Sequence, residues 1–134
     1  MIVFADTSAL FALMVCDDLM HVHAKKSFAY FAQTGVQLLT SSYVLVETMA
    51  LLQRRIGLAP VHDFNAKISP LMEILWVDAM WHARATQRLL SEDSRNISLV
   101  DCLSFEIMEA REIEDAFTFD QDFADKGFNI THPR

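Results

Sequence analysis

The first eight residues place the strongest constraint on the fold of this 134-residue chain. Residues Ile2–Ala5 are apolar at every position and run directly into Asp6, Thr7 and Ser8. A strand that is apolar throughout is buried on both faces, which is typical of a parallel sheet covered by helices. The short polar residues that follow it are good helix N-caps. The pattern therefore predicts a strand leading into a helix within an α/β fold.

Strands and helices alternate along the rest of the chain. Apolar residues at helical spacing predict helices over residues 21–33, 43–56, 61–72, 82–90 and 99–111. Short apolar runs predict strands over residues 36–40, 74–77, 116–119 and 128–131. This order predicts one α/β domain over residues 1–134, with a central, mostly parallel sheet of about five strands flanked by helices.

Composition narrows the functions that this chain can have. Hydrophobic residues make up 52% of it, with only three Gly and three Pro, which excludes a disordered or linker-rich protein. The net charge of -7 argues against a general basic surface for nucleic acid, because phosphate affinity comes largely from Lys and Arg. Any role on nucleic acid must rest on a local site, which divalent cations held by carboxylates could supply.

The start of the chain and its two cysteines indicate a cellular compartment. Residues 1–16 are apolar, but they begin without Lys or Arg and contain Asp6, so they fit neither a signal peptide nor a membrane span. We therefore expect a soluble cytoplasmic protein. Cys16 and Cys102 each lie in an apolar run, and we expect two buried thiols rather than a disulfide.

Two carboxylates follow predicted buried strands. Asp6 comes directly after Ile2–Ala5, and Asp120 comes directly after the predicted strand over residues 116–119. Ligands of open α/β sheets bind beyond the carboxyl ends of the strands, so both side chains lie where chemistry is expected. Each also has a purely structural interpretation as the N-cap of the next helix.

Two further carboxylates lie on apolar helix faces. Glu47 interrupts an apolar run and is expected to be partly buried, so it needs a cation, a hydrogen-bond network or a metal. A salt bridge to Arg54 or Arg55 fits poorly, because they lie about two helical turns further on. Asp101 lies in the first turn of its predicted helix, where the helix dipole alone would also favour a carboxylate.

Together these carboxylates predict a metal site. Four acidic groups with no lysine among them would repel one another unless cations lay between them. All-oxygen ligation suits Mg²⁺ or Mn²⁺, and one or two such ions can activate water and stabilise the leaving oxygen during phosphodiester hydrolysis. The predicted ligands are Asp6, Glu47, Asp101 and Asp120.

Four segments carry a resemblance to a known family. They are residues 3–10 (VFADTSAL), 46–47 (VE), 98–102 (SLVDC) and 117–123 (FTFDQDF). In this order and spacing they resemble the signature segments of PIN-domain ribonucleases, and most of all the VapC-type toxins of bacterial and archaeal toxin–antitoxin pairs. The resemblance runs essentially from end to end.

The resemblance implies a Rossmann-like PIN fold, bound Mg²⁺ or Mn²⁺, and endonucleolytic cleavage of RNA. It also implies a small antitoxin partner and a homodimer. Matched by position, the acidic residues of the family are Asp6, Glu47, Asp101 and Asp120, with Asp122 as an alternative to Asp120. The resemblance assigns supporting roles to Thr7 or Ser8, in ordering the water around the metal, and to Thr118, two positions before Asp120.

Two alternatives stay open. A phosphotransfer domain of the receiver or haloacid dehalogenase type also places an Asp after the first strand, but Ser8 stands where a dehalogenase needs a second Asp. A catalytically weak PIN-like module that binds protein or RNA would keep the fold without turnover. The candidate RNA contacts, each of which could equally be a solvated surface charge, are Arg54, Arg55, Arg95 and Lys126.

Overall fold

The computed structural model describes residues 1–130, and its strands form one five-stranded sheet. The strands are β1 (Ile2–Ala5), β2 (Gln37–Ser41), β3 (Met72–Leu75), β4 (Asp115–Phe117) and β5 (Asn129–Ile130). They lie in the order β3-β2-β1-β4-β5, and every neighbouring pair is parallel. The predicted α/β fold with a parallel central sheet is confirmed, and β1 occupies the middle of the sheet as its fully apolar sequence requires.

Helices connect and cover the strands. They are α1 (Thr7–Met14), α2 (His21–Thr34), α3 (Ser42–Arg55), α4 (Leu58–Asp63), α5 (Ala79–Glu92), α6 (Leu99–Ala110) and α7 (Gln121–Asp125). Helix α1 packs against α2 and α3, while α5 packs against α6. Among the helices of residues 1–130, none combines the length and the hydropathy that crossing a bilayer requires.

Most helix starts follow from short polar residues. In the described part of the chain, five helices begin at a residue whose side chain accepts a hydrogen bond from a backbone N–H of the first turn. These residues are Asp6, Ser41, Asp78, Ser98 and Asp120. The capping interpretation of Asp6 and Asp120 is therefore correct, and it is compatible with a second role for both carboxylates.

The segment between α4 and β3 differs from its prediction. One helix was predicted over residues 61–72, but α4 ends at Asp63 and the chain continues as a π turn (Phe64–Ile68) and a 3₁₀ turn (Ser69–Leu71). Pro70 lies at the start of the 3₁₀ turn, where it has no N–H to continue a helix. Strand β3 consequently begins at Met72, two residues before the predicted start.

Two smaller differences concern the edges of elements. Strand β4 ends at Phe117, so two residues separate it from Asp120. Cys102 is buried as expected, whereas Cys16 is exposed, because α1 ends at Met14 and leaves Cys16 in the following turn; both thiols are free. The predicted last strand extends to residue 131, which lies outside the described residues.

Candidate active site

Asp6 is the buried carboxylate at the carboxyl edge of the sheet, with 3% of its surface exposed. Its Oδ2 accepts hydrogen bonds from the Thr118 hydroxyl at 2.8 Å and from the Ser8 hydroxyl at 3.0 Å. Its backbone N–H donates to the Phe117 carbonyl at 3.0 Å, which continues the pairing of β1 with β4. These contacts fix the carboxylate where the two central strands end.

The same two hydroxyls also hold the chain that follows β4. The backbone N–H of Phe119 donates to Ser8 Oγ at 2.9 Å, and the N–H of Asp120 donates to Thr118 Oγ1 at 3.0 Å. Each hydroxyl therefore accepts from the backbone and donates to Asp6. In this way Ser8 and Thr118 connect the position of Asp120 to that of Asp6.

Three other acidic side chains converge beside Asp6. One carboxylate oxygen from each of Asp101, Asp120 and Asp122 lies within 4.8 Å of the other two. Asp120 Oδ1 also accepts a hydrogen bond from the Asp122 N–H at 2.9 Å. Asp101 forms a capping box with Ser98, in which each side chain accepts from the backbone of the other. The starts of α6 and α7 thus bring these three carboxylates together, and Asp120 and its alternative Asp122 belong to the same group.

Burial and mutual repulsion change the acidity of the group. Burial raises the pKa of Asp6 to about 6, and the charge of Asp120 adds to this effect. Burial raises the pKa of Asp101 to about 7, with further contributions from the charges of Asp6 and Asp120. Burial and then the neighbouring Asp120 raise the pKa of Asp122. The charge of Asp120 contributes to the raised pKa of each of the other three carboxylates.

These carboxylates have no ion-pair partner in the described chain, although the pKa of Asp122, which burial and Asp120 raise, is lowered by the charge of Lys126. Across residues 1–130, no Lys, Arg or His side chain forms an ion pair with any of them. Carboxylates removed from water without a compensating cation are costly. A bound divalent ion would offset that cost, and a donor set made only of carboxylate oxygens suits Mg²⁺ or Mn²⁺. The residues present therefore fit a divalent metal.

Two of the predicted residues lie apart from the group. Glu47 is half-buried on α3, and within the described chain it makes no hydrogen bond or ion pair and lies outside the group of three carboxylates. Its neighbour Thr48 reaches the Thr7 hydroxyl at 3.4 Å, which places Glu47 beside the start of α1. The Thr7 side chain therefore faces α3, whereas Ser8 holds Asp6. The expected absence of a salt bridge from Glu47 to Arg55 agrees with the Arg55 guanidinium lying over the Phe11 ring, 5.4 Å from its centroid.

A comparison with protein-family models identifies the family to which this fold belongs. Residues 3–129 match the model of the PIN domain. This chain belongs to the PIN-domain family. The predicted resemblance is confirmed, and membership of this family removes the phosphotransfer alternative.

Individual PIN-domain proteins resemble this chain over nearly its full length. The "23S rRNA-specific endonuclease VapC20" of Mycobacterium tuberculosis is 35% identical over 132 residues, which cover 98% of each chain. The crystal structure of that VapC20, described as a toxin that cleaves the sarcin–ricin loop, aligns with a TM-score of 0.87 at 35% identity and covers 99% of this chain and 100% of that one. FitAcB from Neisseria gonorrhoeae aligns with a TM-score of 0.64 over 99% of this chain and 98% of its own, and at 16% identity this shows a shared fold.

The raised pKa of Asp6 generates a prediction about stability. Between pH 3.8 and about 6 the folded protein holds a proton on Asp6 that the unfolded chain has released, so the metal-free fold loses stability as the pH rises through this window. Asn at this position keeps an oxygen for both hydroxyls and carries no charge. We expect Asp6→Asn to gain about 1.4 kcal/mol of stability relative to wild type between pH 5 and pH 8, because about one unit of the pKa shift of Asp6 lies within this range.

Thermal unfolding in EDTA at the two pH values measures this difference. The exposed Asp17, changed to Asn, serves as the control and should show no such gain. A stability difference between wild type and Asp6→Asn that is the same at both pH values would contradict the assignment.

Proposed function

We propose that this PIN domain is a divalent-metal-dependent endoribonuclease that hydrolyses RNA phosphodiester bonds. The observation that carries the proposal is a group of four carboxylates at the carboxyl edge of a parallel sheet, of which Asp6 is buried and three are half-buried, with no ion-pair partner in residues 1–130. The likeness to VapC20 over nearly the whole chain supports RNA as the substrate. One domain spanning residues 1–134 is part of the proposal, since the family model covers residues 3–129.

The proposed metal ligands are Asp6, Asp101 and Asp120, with Asp122 beside them and Glu47 as the fourth acidic residue of the family pattern. When bound, Mg²⁺ or Mn²⁺ supplies Lewis-acid activation of water and neutralises charge on the phosphate. The chain itself supplies orientation. Ser8 and Thr118 prevent the carboxylate of Asp6 from rotating, and the capping box holds Asp101 at the start of α6.

The substrate and partners that we propose for this chain are inferred from its similarity to VapC20. VapC20 is named for 23S rRNA and described as a sarcin–ricin loop cleaving toxin, so a structured ribosomal RNA loop is the substrate that we propose for this chain. A toxin of this kind implies a small antitoxin protein as partner. A homodimer and a cytoplasmic location stay predictions from the sequence.

The excess of acidic over basic residues restricts how this chain can bind RNA. With a net charge of -7, the chain cannot rely on a general basic surface. Two candidate contacts, Arg54 and Arg95, are exposed and make no ion pair within residues 1–130. Arg95 lies in the connection before α6, close in sequence to Asp101. Bound metal would therefore carry much of the attraction for phosphate.

Cleavage of defined RNAs tests the proposal. Purified protein without its partner should cut a panel of sarcin–ricin loop RNA, mixed tRNA and unstructured RNA in Mg²⁺ or Mn²⁺, with a preference for the structured loop. EDTA should abolish cutting, and Asp6→Asn should reduce it by roughly 100-fold or more, while Asp17→Asn keeps wild-type activity. Activity that survives both EDTA and Asp6→Asn would contradict the proposal, whereas metal binding without cutting of any RNA would favour the catalytically weak binding module.

The roles of Asp120 and Asp122 can be separated by calorimetry. Asn at position 120 keeps the capping oxygen for the first turn of α7, so Asp120→Asn tests charge rather than helix formation. Because the charge of Asp120 acts on Asp6 and Asp101, we expect Asp120→Asn to weaken Mn²⁺ binding by about 10-fold or more, and Asp122→Asn to weaken it less. The reverse order would make Asp122 the ligand.

A further inference from the structure

A network of ion pairs joins α5, α6 and α7 behind the carboxylates. Lys126 Nζ lies 2.7 Å from Glu92 Oε2, and Arg88 Nε lies 3.6 Å from Glu92 Oε1. Arg88 Nη1 also reaches Glu106 Oε2 at 2.8 Å and Glu109 Oε2 at 2.9 Å. We call these five residues the α5–α7 ion network. It connects the end of α5 with α6 and with the residue that follows α7.

Most of the network is shielded from water. The side chains of Arg88 and Glu92 are 17% exposed, and that of Lys126 is 26% exposed. The ion pair between Lys67 and Asp63 is an ordinary surface pair by contrast, with side chains 75% and 59% exposed. Shielded charges interact more strongly than exposed ones, because solvent screens them less.

The network lies on aromatic side chains that join α6 to α7. The Arg88 guanidinium lies 5.2 Å from the centroid of the Phe105 ring. Phe105 in turn packs edge to face on Phe123 of α7, with centroids 4.9 Å apart, and stacks on Phe128 at 5.9 Å. The charged and the aromatic contacts therefore both hold α5, α6 and α7 together.

The network also lies close to Asp101. Cys102 follows Asp101 and is fully buried, and burial raises the pKa of its thiol. The charges of Glu92, Arg88 and Lys126 act on that thiol. Burial and the charge of Asp120 raise the pKa of Asp122, and the charge of Lys126 lowers it.

Helix α7 depends on contacts at both of its ends. It has five residues, too few for a helix to be stable by itself. Asp120 caps its start, and Lys126 is the C-cap residue at its end. Whatever fixes Lys126 therefore helps to fix where Asp120 and Asp122 stand relative to Asp101.

We propose that Lys126 is a positioning residue of the active site, whose ion pair with Glu92 holds α7 where Asp120 and Asp122 meet Asp101. This inference rests on the proposed function. It assigns Lys126 a different role from that of a candidate RNA contact, since its ammonium group is engaged by Glu92.

The test compares Lys126→Met, which keeps an aliphatic side chain without the charge, with Lys126→Arg, which keeps the charge. Lys67→Met is the matched control, because it removes a lysine from an ion pair on α4 and the π turn. Three quantities are measured on each full-length protein: Mn²⁺ affinity by calorimetry, hydrogen exchange of the backbone amides of α7, and kcat and KM for RNA cleavage. Glu92→Gln removes the same ion pair from its other side and provides a second variant if Lys126→Met does not fold.

We expect Lys126→Met to weaken Mn²⁺ binding by about 3- to 10-fold, to speed exchange in α7, and to lower kcat with little change in KM. Lys126→Arg should restore most of each property. Glu92→Gln should have at least the same effects, because it also removes the contact with Arg88. The double variant should be little worse than Glu92→Gln, because both single variants remove the ion pair between Lys126 and Glu92.

Two results would overturn the inference. If Lys126→Met raises KM alone, with exchange and Mn²⁺ affinity unchanged, Lys126 is an RNA contact. If Lys126→Met behaves like Lys67→Met in every measurement, the ion pair positions nothing. Wild-type protein that neither binds Mn²⁺ nor cuts RNA would instead refute the proposed function, and the exchange rates would still decide whether the ion pair fixes α7.

Discussion

The burial of the Asp6 carboxylate is the constraint on which the rest of the site depends. Its position is dictated by β1, the fully apolar strand at the centre of the sheet, which ends one residue earlier. The hydroxyls of Ser8 and Thr118 replace hydrogen bonds to water, but they are neutral and cannot balance a charge. Burial of the charge therefore still costs free energy, and it raises the pKa of Asp6 to about 6. A cation at this edge would therefore stabilise the charged form of Asp6. No basic side chain of residues 1–130 forms an ion pair with it.

Helix capping and metal binding are two uses of the same carboxylates. A carboxylate has two oxygens with several acceptor sites, so accepting one backbone hydrogen bond leaves capacity for another ligand. Asp120 caps α7, and Asp101 completes the capping box of α6 with Ser98, so the starts of the two helices fix both side chains. Fixing three acidic groups together requires that the helices carrying them be held from behind. The α5–α7 ion network and the phenylalanines under it provide that support.

The sheet could be predicted from the sequence because its strands are short apolar runs ending at polar residues, and Asp6 was found for the same reason. Over residues 61–72, Pro70 indicates a kink in the predicted helix, but the helical spacing does not reveal that α4 ends as early as Asp63 and that the chain continues as a π turn. The contacts of Ser8 with Thr118 join residues 110 positions apart, and only the pairing of β1 with β4 creates them. For Glu47 the sequence indicates partial burial, which the structure shows, whereas its role as a metal ligand stays a prediction.

The central claim is that the acidic edge of the sheet binds a divalent cation. A crystal structure that locates the ion tests this claim directly. Mn²⁺ scatters X-rays anomalously, so an anomalous difference map from crystals grown at neutral pH with millimolar Mn²⁺ would show its position. The account predicts a strong peak about 2.0–2.2 Å from carboxylate oxygens of Asp6, Asp101 and Asp120. A map without a peak there, or with Mn²⁺ bound at the glutamates of the α5–α7 ion network instead, would contradict the account.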